Sequence, residues 1–172
     1  MKRLIACFAA ALTLTAAGAF SNRRAPGFSL SDSQYRQHDG QDYRGKVLIV
    51  DIMQTTCGVC AKLVDTLVQV KAKFGDKLGI VSVVTLPDNF GTADRFAMEH
   101  KVDWPIVFDS GQMMASYLFV TPMNPQVHFP HLFVIDGDGM IRNDFGEEDS
   151  NSLTVSGLSA VLDRLLAPAT KL

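Results

Sequence analysis

The sequence predicts one α/β domain, in which a mixed β-sheet carries helices on both faces. Valine- and isoleucine-rich stretches alternate along the chain with segments whose apolar residues recur at helical spacing. Strands joined through helices run parallel, whereas the Asp-Gly-Asp-Gly sequence at residues 136–139 predicts a hairpin and an antiparallel strand. A length of 172 residues with 47% hydrophobic and 20% charged residues suits one folded domain and excludes a disordered chain.

The first elements follow a polar lead-in at residues 21–45, which we expect to be loose. Residues 47–53 are a β-branched apolar run and predict a strand that is buried on both faces. Thr55 or Thr56 can cap the helix that follows, and Gly75 ends it. Apolar residues occupy one face of this helix: Cys60, Leu63, Val64, Leu67, Val70 and Phe74.

The remaining elements are bounded by turn residues and by changes of hydrophobic period. They are a strand at 78–86, a helix at 92–100, a strand at 104–108, helical turns at 112–118, a loop at 119–130, strands at 132–135 and 140–145, and a last helix with the stripe Val155, Leu158, Leu162 and Leu165. We expect Trp104 to pack in the core. This order places an antiparallel hairpin and a closing helix after the parallel strands.

The N-terminal residues predict an export signal. Two basic residues precede an apolar stretch at residues 4–14, and an Ala-Gly-Ala sequence at residues 17–19 supplies the small-residue pattern of a cleavage site. We therefore assign residues 1–19 to a signal peptide and residues 20–172 to the domain, with a periplasmic or secreted location. The alternative is an uncleaved membrane anchor, although the apolar stretch is short for a transmembrane helix.

Charge and cysteine content narrow the functional class. The net charge of −2, with no long run of either sign, does not fit a nucleic-acid-binding protein. Of the three cysteines, Cys7 lies in the predicted signal, which leaves Cys57 and Cys60 in the mature domain. Two cysteines are too few for a disulfide-stapled scaffold, and export places them where a disulfide persists.

Cys57 and Cys60 form a Cys-x-x-Cys pair directly after a buried strand and at the start of a helix. Free N–H groups and the helix dipole favour a thiolate at Cys57, and a thiolate attacks disulfides. Cys60, one turn inside on the apolar face, suits resolution of a mixed disulfide. A purely structural disulfide is one alternative, but a bridge that closes so short a loop removes little chain entropy. A zinc half-site is the other, but the chain has no second pair of cysteines to complete it.

These features, together with three segments of sequence, resemble thioredoxin-like disulfide reductases of the TlpA/ResA/CcmG kind. The segments are Asp-Tyr-Arg-Gly-Lys-Val at 42–47, Phe-Pro-His-Leu-Phe-Val-Ile-Asp at 129–136 and Gly-Asp-Gly-Met-Ile-Arg at 137–142. The resemblance spans about residues 25–166. It implies an exported or membrane-tethered thioredoxin fold that reduces protein disulfides without a cofactor and draws electrons from a membrane partner. Targets of relatives include apocytochrome c thiols and copper-site assembly proteins, and we expect a monomer.

The resemblance also implies roles for residues outside the cysteine pair. Pro130 corresponds to a cis-proline that packs against the Cys-x-x-Cys motif, and Phe129 would offer its backbone to an extended substrate peptide. Asp51 is placed like the buried aspartate of thioredoxins and would relay the proton of Cys60. The alternatives are a trans loop proline and a strand-end aspartate that faces water.

Three positions depart from the family's usual pattern. Thr56 stands where tryptophan is usual, Val59 where proline is usual, and His131 where threonine or an acid is common. A charged His131 near Cys57 would favour the thiolate and make the disulfide more oxidising, so the direction of electron flow stays open. The loop at residues 119–129 is longer than in relatives; it shapes substrate choice or is an insertion without a role.

Copper handling is the alternative function. His128 and His131 bracket Pro130, and two thiolates with one imidazole can hold Cu(I) or zinc. Copper chaperones of the Sco type use a thioredoxin fold, but they usually space their cysteines by three residues rather than two. A peroxiredoxin pattern would need proline and threonine where Val50 and Gln54 stand.

Overall fold

The protein folds around a six-stranded mixed sheet. The structure, a computed structural model, describes residues 19–149 and 151–167, so the predicted signal peptide lies almost wholly outside the described residues. The strands are β1 (Ala19–Arg24), β2 (Ser29–Ser31), β3 (Gln37–Asp39), β4 (Val47–Met53), β5 (Leu78–Thr85), β6 (Ile106–Asp109), β7 (His131–Ile135) and β8 (Met140–Phe145). The helices are α1 (Gly58–Phe74), α2 (Phe90–His100), α3 (Gln112–Leu118) and α4 (Val155–Leu166). No helix in the described ranges has the length and apolarity needed to span a bilayer.

The strand order is β1-β8-β7-β4-β5-β6. β4 pairs in parallel with β5 and antiparallel with β7, and β5 pairs in parallel with β6. The hairpin β7–β8 and the antiparallel strand β1 complete the sheet. The structure therefore confirms the predicted mixed sheet and hairpin.

Helices cover both faces of the sheet, as predicted. Alternate residues of β4 point into two separate apolar clusters, which is why every residue of this strand is buried. Ile49 and Met53 pack in the cluster that contains residues of α1, α2 and α4. Val50 and Ile52 pack in the opposite cluster, with residues of α3 and the N-terminal segment. We call these the α1-side and α3-side clusters.

The helix that carries the cysteines begins and ends on identifiable caps. Its predicted apolar face is buried except for Phe74, which is half-buried, and Gly75 is its C-cap at a φ of 58°. The prediction that Thr55 or Thr56 caps its N-terminus is wrong, because Cys57 is the N-cap residue and its sulfur accepts from the Cys60 N–H. The Thr55 hydroxyl instead donates to Asp88, a residue the chain brings in from the loop after β5.

The expectation of a loose segment at residues 21–45 is also wrong. β1 pairs with the outer edge of β8, and β2 and β3 form a separate two-stranded sheet. Arg23 holds β1 in place, because its guanidinium donates to the carbonyl oxygen of Tyr117 at 2.7 Å and lies over the Phe119 ring. Backbone hydrogen bonds hold these short strands together, and a short polar stretch has too little hydrophobic alternation to predict a strand from sequence.

Several predicted element boundaries shift by one or two residues. The strand predicted at 78–86 ends at Thr85, and the strand predicted at 104–108 is Ile106–Asp109. The second helix begins at Phe90 rather than residue 92, because the Asn89 side chain accepts from two N–H groups of the first turn. Trp104 is buried as expected and lies just before β6.

Candidate active site

The two cysteines meet where the carboxyl end of β4 leads into α1. Cys57 and Cys60 form a disulfide with their Cα atoms 5.2 Å apart. Cys57 is partly exposed and its neighbour Val59 is 42% exposed, whereas Cys60 has no exposed surface and packs in the α1-side cluster. One sulfur is thus open to a substrate and the other is shielded from it.

The first turn of α1 provides the electrostatic environment of Cys57. The Cys57 sulfur accepts from the Cys60 N–H at 3.1 Å, and the N-terminal end of the 17-residue helix directs its free N–H groups and dipole toward this position. Both effects stabilise a negative charge on sulfur when the pair is reduced. The local structure therefore suits a nucleophilic thiolate at Cys57.

A cis peptide bond lies beside the disulfide. The Phe129–Pro130 bond is cis, as the family resemblance implied, and Pro130 is buried. The carbonyl oxygen of Phe129 lies 4.0 Å from the Cys57 sulfur. Within residues 19–149 and 151–167, no backbone hydrogen bond engages the N–H of Phe129, which lies two residues before the first residue of β7. This backbone is available to pair with an extended peptide beside the reactive sulfur.

Asp51 is completely buried in the middle of β4. Its position in the strand alternation matches Ile49 and Met53, so it points to the same side of the sheet as Cys60. Its Oδ2 accepts from the Ser82 hydroxyl at 3.1 Å, and its Oδ1 has no hydrogen-bond partner among the described residues. Burial raises the pKa of Asp51 from its ordinary 3.8 to about 7, and the hydrogen bond from Ser82 opposes part of this rise.

His131 occupies a different environment from the one expected. It pairs with Ile52 across the sheet, on the α3 side, while Cys60 lies on the α1 side. Its Nε2 lies 2.5 Å from Asp144 Oδ1, and its ring stacks on Phe133. In the described part of the chain no hydrogen bond or ion pair joins His131 to Cys57, so the structure does not support the expected charge effect on the thiolate.

The positions of His128 and His131 do not support the alternative of a metal site. His128 is exposed in the loop before Phe129, and the His131 ring is occupied by Asp144. The described residues contain no group of three or more histidine, cysteine or acidic side chains arranged to hold a metal ion. The structure therefore does not favour the copper-handling alternative.

Asp88 is a site residue that sequence reasoning missed. It is 3% exposed, and its carboxylate accepts from the Thr55 N–H at 2.9 Å, from the Thr55 hydroxyl and from the Thr92 hydroxyl at 2.8 Å. It thus ties the turn that leads into Cys57 to the loop after β5, where Leu86 is 69% exposed before a second cis-proline, Pro87. In the sequence, the polar run at residues 87–89 signals only a turn.

The fold and the site together define a class of protein. A mixed sheet of this topology, with a Cys-x-x-Cys pair at a helix N-terminus beside a cis-proline, is characteristic of the thioredoxin superfamily. The Redoxin family model matches residues 20–162, and the chain belongs to this family. It is a thiol–disulfide oxidoreductase with Cys57 and Cys60 as its cysteine pair.

Known proteins with similar sequences and structures agree with this class. The chain is 24% identical over 133 residues to the thioredoxin-like protein YneN of Bacillus subtilis, covering 73% of this chain and 71% of that protein. It is 29% identical over 121 residues to the thiol-disulfide oxidoreductase ResA of Geobacillus thermodenitrificans, covering 69% of this chain and 64% of that protein. A thiol:disulfide interchange protein from Chlorobium tepidum has a similar fold, with a TM-score of 0.71, 15% identity and coverage of 85% and 97%.

Proposed function

We propose that the protein is an exported disulfide reductase that acts on other proteins. The observation that carries this proposal is that the partly exposed Cys57 sulfur lies beside Phe129, whose backbone N–H has no hydrogen bond among the described residues, while Cys60 is fully buried. A protein segment that lies along Phe129 brings its own sulfur to Cys57 while Cys60 stays shielded. The export signal predicted at residues 1–19 supports a periplasmic or secreted location.

The reaction follows from the two sulfur positions. In the reduced protein, the Cys57 thiolate attacks one sulfur of a substrate disulfide, forms a mixed disulfide and releases one substrate thiolate. Cys60 then loses its proton, and its thiolate attacks the Cys57 sulfur. This step releases the second substrate thiolate and leaves the Cys57–Cys60 disulfide. Two electrons pass to the substrate, and its thiolates take up two protons.

Asp51 is the proposed proton acceptor for Cys60. It is buried on the same side of the sheet as Cys60, where water cannot readily take the proton. Because burial holds its pKa at about 7, the carboxylate can both accept a proton and return it near neutral pH. Phe129, Pro130 and His131 are the proposed substrate-binding residues. His131 contributes as the first residue of β7, while its ring is held by Asp144.

The cycle requires a source of electrons. The oxidised pair returns to the dithiol when an external dithiol transfers two electrons by the reverse exchange, and a membrane protein is the proposed donor. The reduction potential tests this direction. In dithiothreitol redox buffers, we expect a value near or below about −220 mV, whereas a value near about −120 mV would make the protein an oxidant.

Trapping of a mixed disulfide tests the roles of the two cysteines. The Cys60→Ser variant, reduced and then mixed with a disulfide-bonded protein such as insulin, should accumulate a covalent complex through Cys57. The Cys57→Ser variant is the matched control and should form at most a trace, because Cys60 is buried. Non-reducing electrophoresis and mass spectrometry identify the linkage. A complex that forms through Cys60 alone would refute the assignment.

A further inference from the structure

A buried chain of hydrogen bonds reaches Asp51 from the neighbouring strand. The indole N–H of Trp104 donates to the Ser82 hydroxyl oxygen at 3.0 Å, and that hydroxyl lies 3.1 Å from Asp51 Oδ2. Ser82 is the residue of β5 that pairs with Asp51 in β4, and Trp104 lies just before β6. Asp51 and Ser82 have no exposed surface, and Trp104 is 7% exposed.

The direction of this chain follows from the chemistry of its members. An indole nitrogen can only donate, so the Ser82 oxygen must be the acceptor in its contact with Trp104. The single hydroxyl hydrogen of Ser82 is then directed to Asp51 Oδ2. Oδ2 is therefore an acceptor whether or not the carboxyl group is ionised. A proton on Asp51 belongs on Oδ1, which is buried and has no partner among the described residues.

We propose that Ser82 and Trp104 are positioning residues, which keep Asp51 Oδ2 occupied and leave Oδ1 as the atom that takes and returns the proton of Cys60. This inference rests on the proton-acceptor role given to Asp51 under the proposed function. The proton moves from the Cys60 sulfur to Oδ1, the Cys60 thiolate attacks Cys57, and the proton returns to solvent or to a released substrate thiolate. No further reactant is needed.

The surroundings of Asp51 leave few other groups to set its ionisation. On the α1 side of the sheet, Asp51 alternates along β4 with Ile49 and Met53, which belong to the apolar cluster that also contains Cys60. β5 and β7 present no charged residue to this side. Most charged residues of α1, α2 and α4, and the one beside Trp104, are exposed to solvent: Lys62, Asp65, Lys73, Asp94, Arg95, Glu99, Asp103, Asp163 and Arg164. The two half-buried ones have other partners, since Lys71 donates to the carbonyl oxygens of Gly75 and Leu78 and His100 lies 2.8 Å from Asp65. Among the described residues, the hydroxyl of Ser82 is thus the one hydrogen-bond donor to the Asp51 carboxylate, in line with its lowering of the Asp51 pKa.

The second step of the reaction provides the test. Reduced protein mixed with 5,5′-dithiobis(2-nitrobenzoate) releases one coloured thiolate when Cys57 attacks and a second when Cys60 attacks, and stopped-flow absorbance separates the two. The second phase should accelerate as Asp51 ionises. Loss of the Ser82 hydroxyl raises the Asp51 pKa. In Ser82→Ala, the pH midpoint of the second-phase rate should therefore move to higher pH by about one to two units. Ser82→Thr, which keeps the hydroxyl, should retain the wild-type midpoint.

Trp104→Phe is the second variant. It keeps an aromatic ring in the core but removes the indole N–H, so the Ser82 hydroxyl is no longer directed and the midpoint should move the same way by a smaller amount. A merely structural role of either residue would lower the melting temperature without moving the midpoint. Unmoved midpoints in both variants would overturn the proposal. If Ser82→Ala does not fold, an unmoved midpoint in Trp104→Phe alone overturns it.

Asp51→Asn separates failure of this inference from failure of the proposed function. If this variant loses the pH-dependent step while the Ser82 and Trp104 variants keep the wild-type midpoint, Asp51 accepts the proton but the hydrogen bonds from Ser82 and Trp104 do not set its pKa. If Asp51→Asn keeps the step, both ideas are wrong. A readout independent of activity is the fluorescence of Trp104, the one tryptophan in the sequence. Its pH titration in the oxidised protein should show a step that Ser82→Ala shifts and Asp51→Asn removes.

Discussion

At the scale of single residues, the proposed mechanism uses one partly exposed sulfur and one buried carboxyl group. Cys57 combines access to solvent with the N-terminus of α1, which is the combination a nucleophilic thiolate needs. Asp51 sits where burial opposes its charge, so its ionised form is costly. The protein therefore gives up stability to keep a carboxyl group that titrates near neutral pH.

The cost of Asp51 predicts a pH-dependent stability. Its pKa is about 7 in the folded protein against 3.8 ordinarily, so between these values the folded state binds more protons and stability falls as pH rises. Ionisation of Asp51 has no effect on the free energy of unfolding below the lower pKa, and it lowers that free energy by about 4 kcal/mol above the higher pKa. Asp51→Asn should remove this slope and be more stable than wild type at about pH 8, as measured by urea unfolding of the oxidised protein.

A control variant makes this stability measurement specific. Asp103→Asn removes an exposed carboxylate and should keep the wild-type slope. Parallel curves for the wild type and Asp51→Asn between about pH 4 and pH 8 would show that Asp51 has no raised pKa in the folded protein.

At the scale of elements, the turn before α1 is held from outside its own sequence. Asp88 accepts three hydrogen bonds from Thr55 and Thr92, and so fastens the loop after β5 to the turn that carries Cys57. Both loops leave the carboxyl ends of adjacent parallel strands, which is where functional groups gather in α/β sheets. The position of the reactive sulfur thus depends on a second loop.

Asp88→Ala should loosen this arrangement. The substitution leaves the N–H and the hydroxyl of Thr55 without their acceptor, while the Thr92 hydroxyl keeps the carbonyl oxygen of Asn89 at 2.9 Å. This loss should lower the free energy of unfolding by about 1–3 kcal/mol. It should also slow insulin reduction, since the turn that presents Cys57 loses its tether. Asp94→Ala, which removes an exposed carboxylate of α2, is the control. An unchanged unfolding curve and an unchanged rate in Asp88→Ala would contradict this role.

At the scale of the whole molecule, the N-terminal strand forms one edge of the sheet. β1 covers the edge of β8, and Arg23 connects it to the end of α3 through Tyr117 and to β8 through Asp144, 3.9 Å away. The predicted cleavage before Phe20 would leave nearly all of this strand in the mature chain. An uncovered β8 edge would be open to pairing with other chains.

A truncation tests whether β1 stabilises the sheet by covering β8. A chain that begins at Ala25 lacks β1, and we expect it to be less stable than one that begins at Ala19 by about 3 kcal/mol, since each lost hydrogen bond is worth on the order of 1 kcal/mol. It should also aggregate more readily. Urea unfolding and size-exclusion chromatography measure both effects. Equal stability of the two chains would show that β1 does not support the sheet.

The predictions from sequence succeeded where the information is local. Hydrophobic period and turn residues placed the core strands, the face of α1 and the hairpin, since burial imposes that period on adjacent residues. The Cys-x-x-Cys pair was found for the same reason, because its chemistry depends on two sulfurs one helical turn apart. The cap of α1 was missed because a cysteine sulfur takes the place that Thr55 or Thr56 was expected to hold.

Only the tertiary structure decided which distant side chains meet. Asp51 meets Ser82 and Trp104 because β4 lies beside β5 in one particular register, and His131 turns toward Asp144 because β7 alternates its side chains across the sheet. The hydrophobic period of a single segment predicts neither the register nor the strand order, since both depend on how separate segments pair. The sequence by itself determined the fold class and the redox pair, and the assembled sheet decided the environment in which that pair reacts.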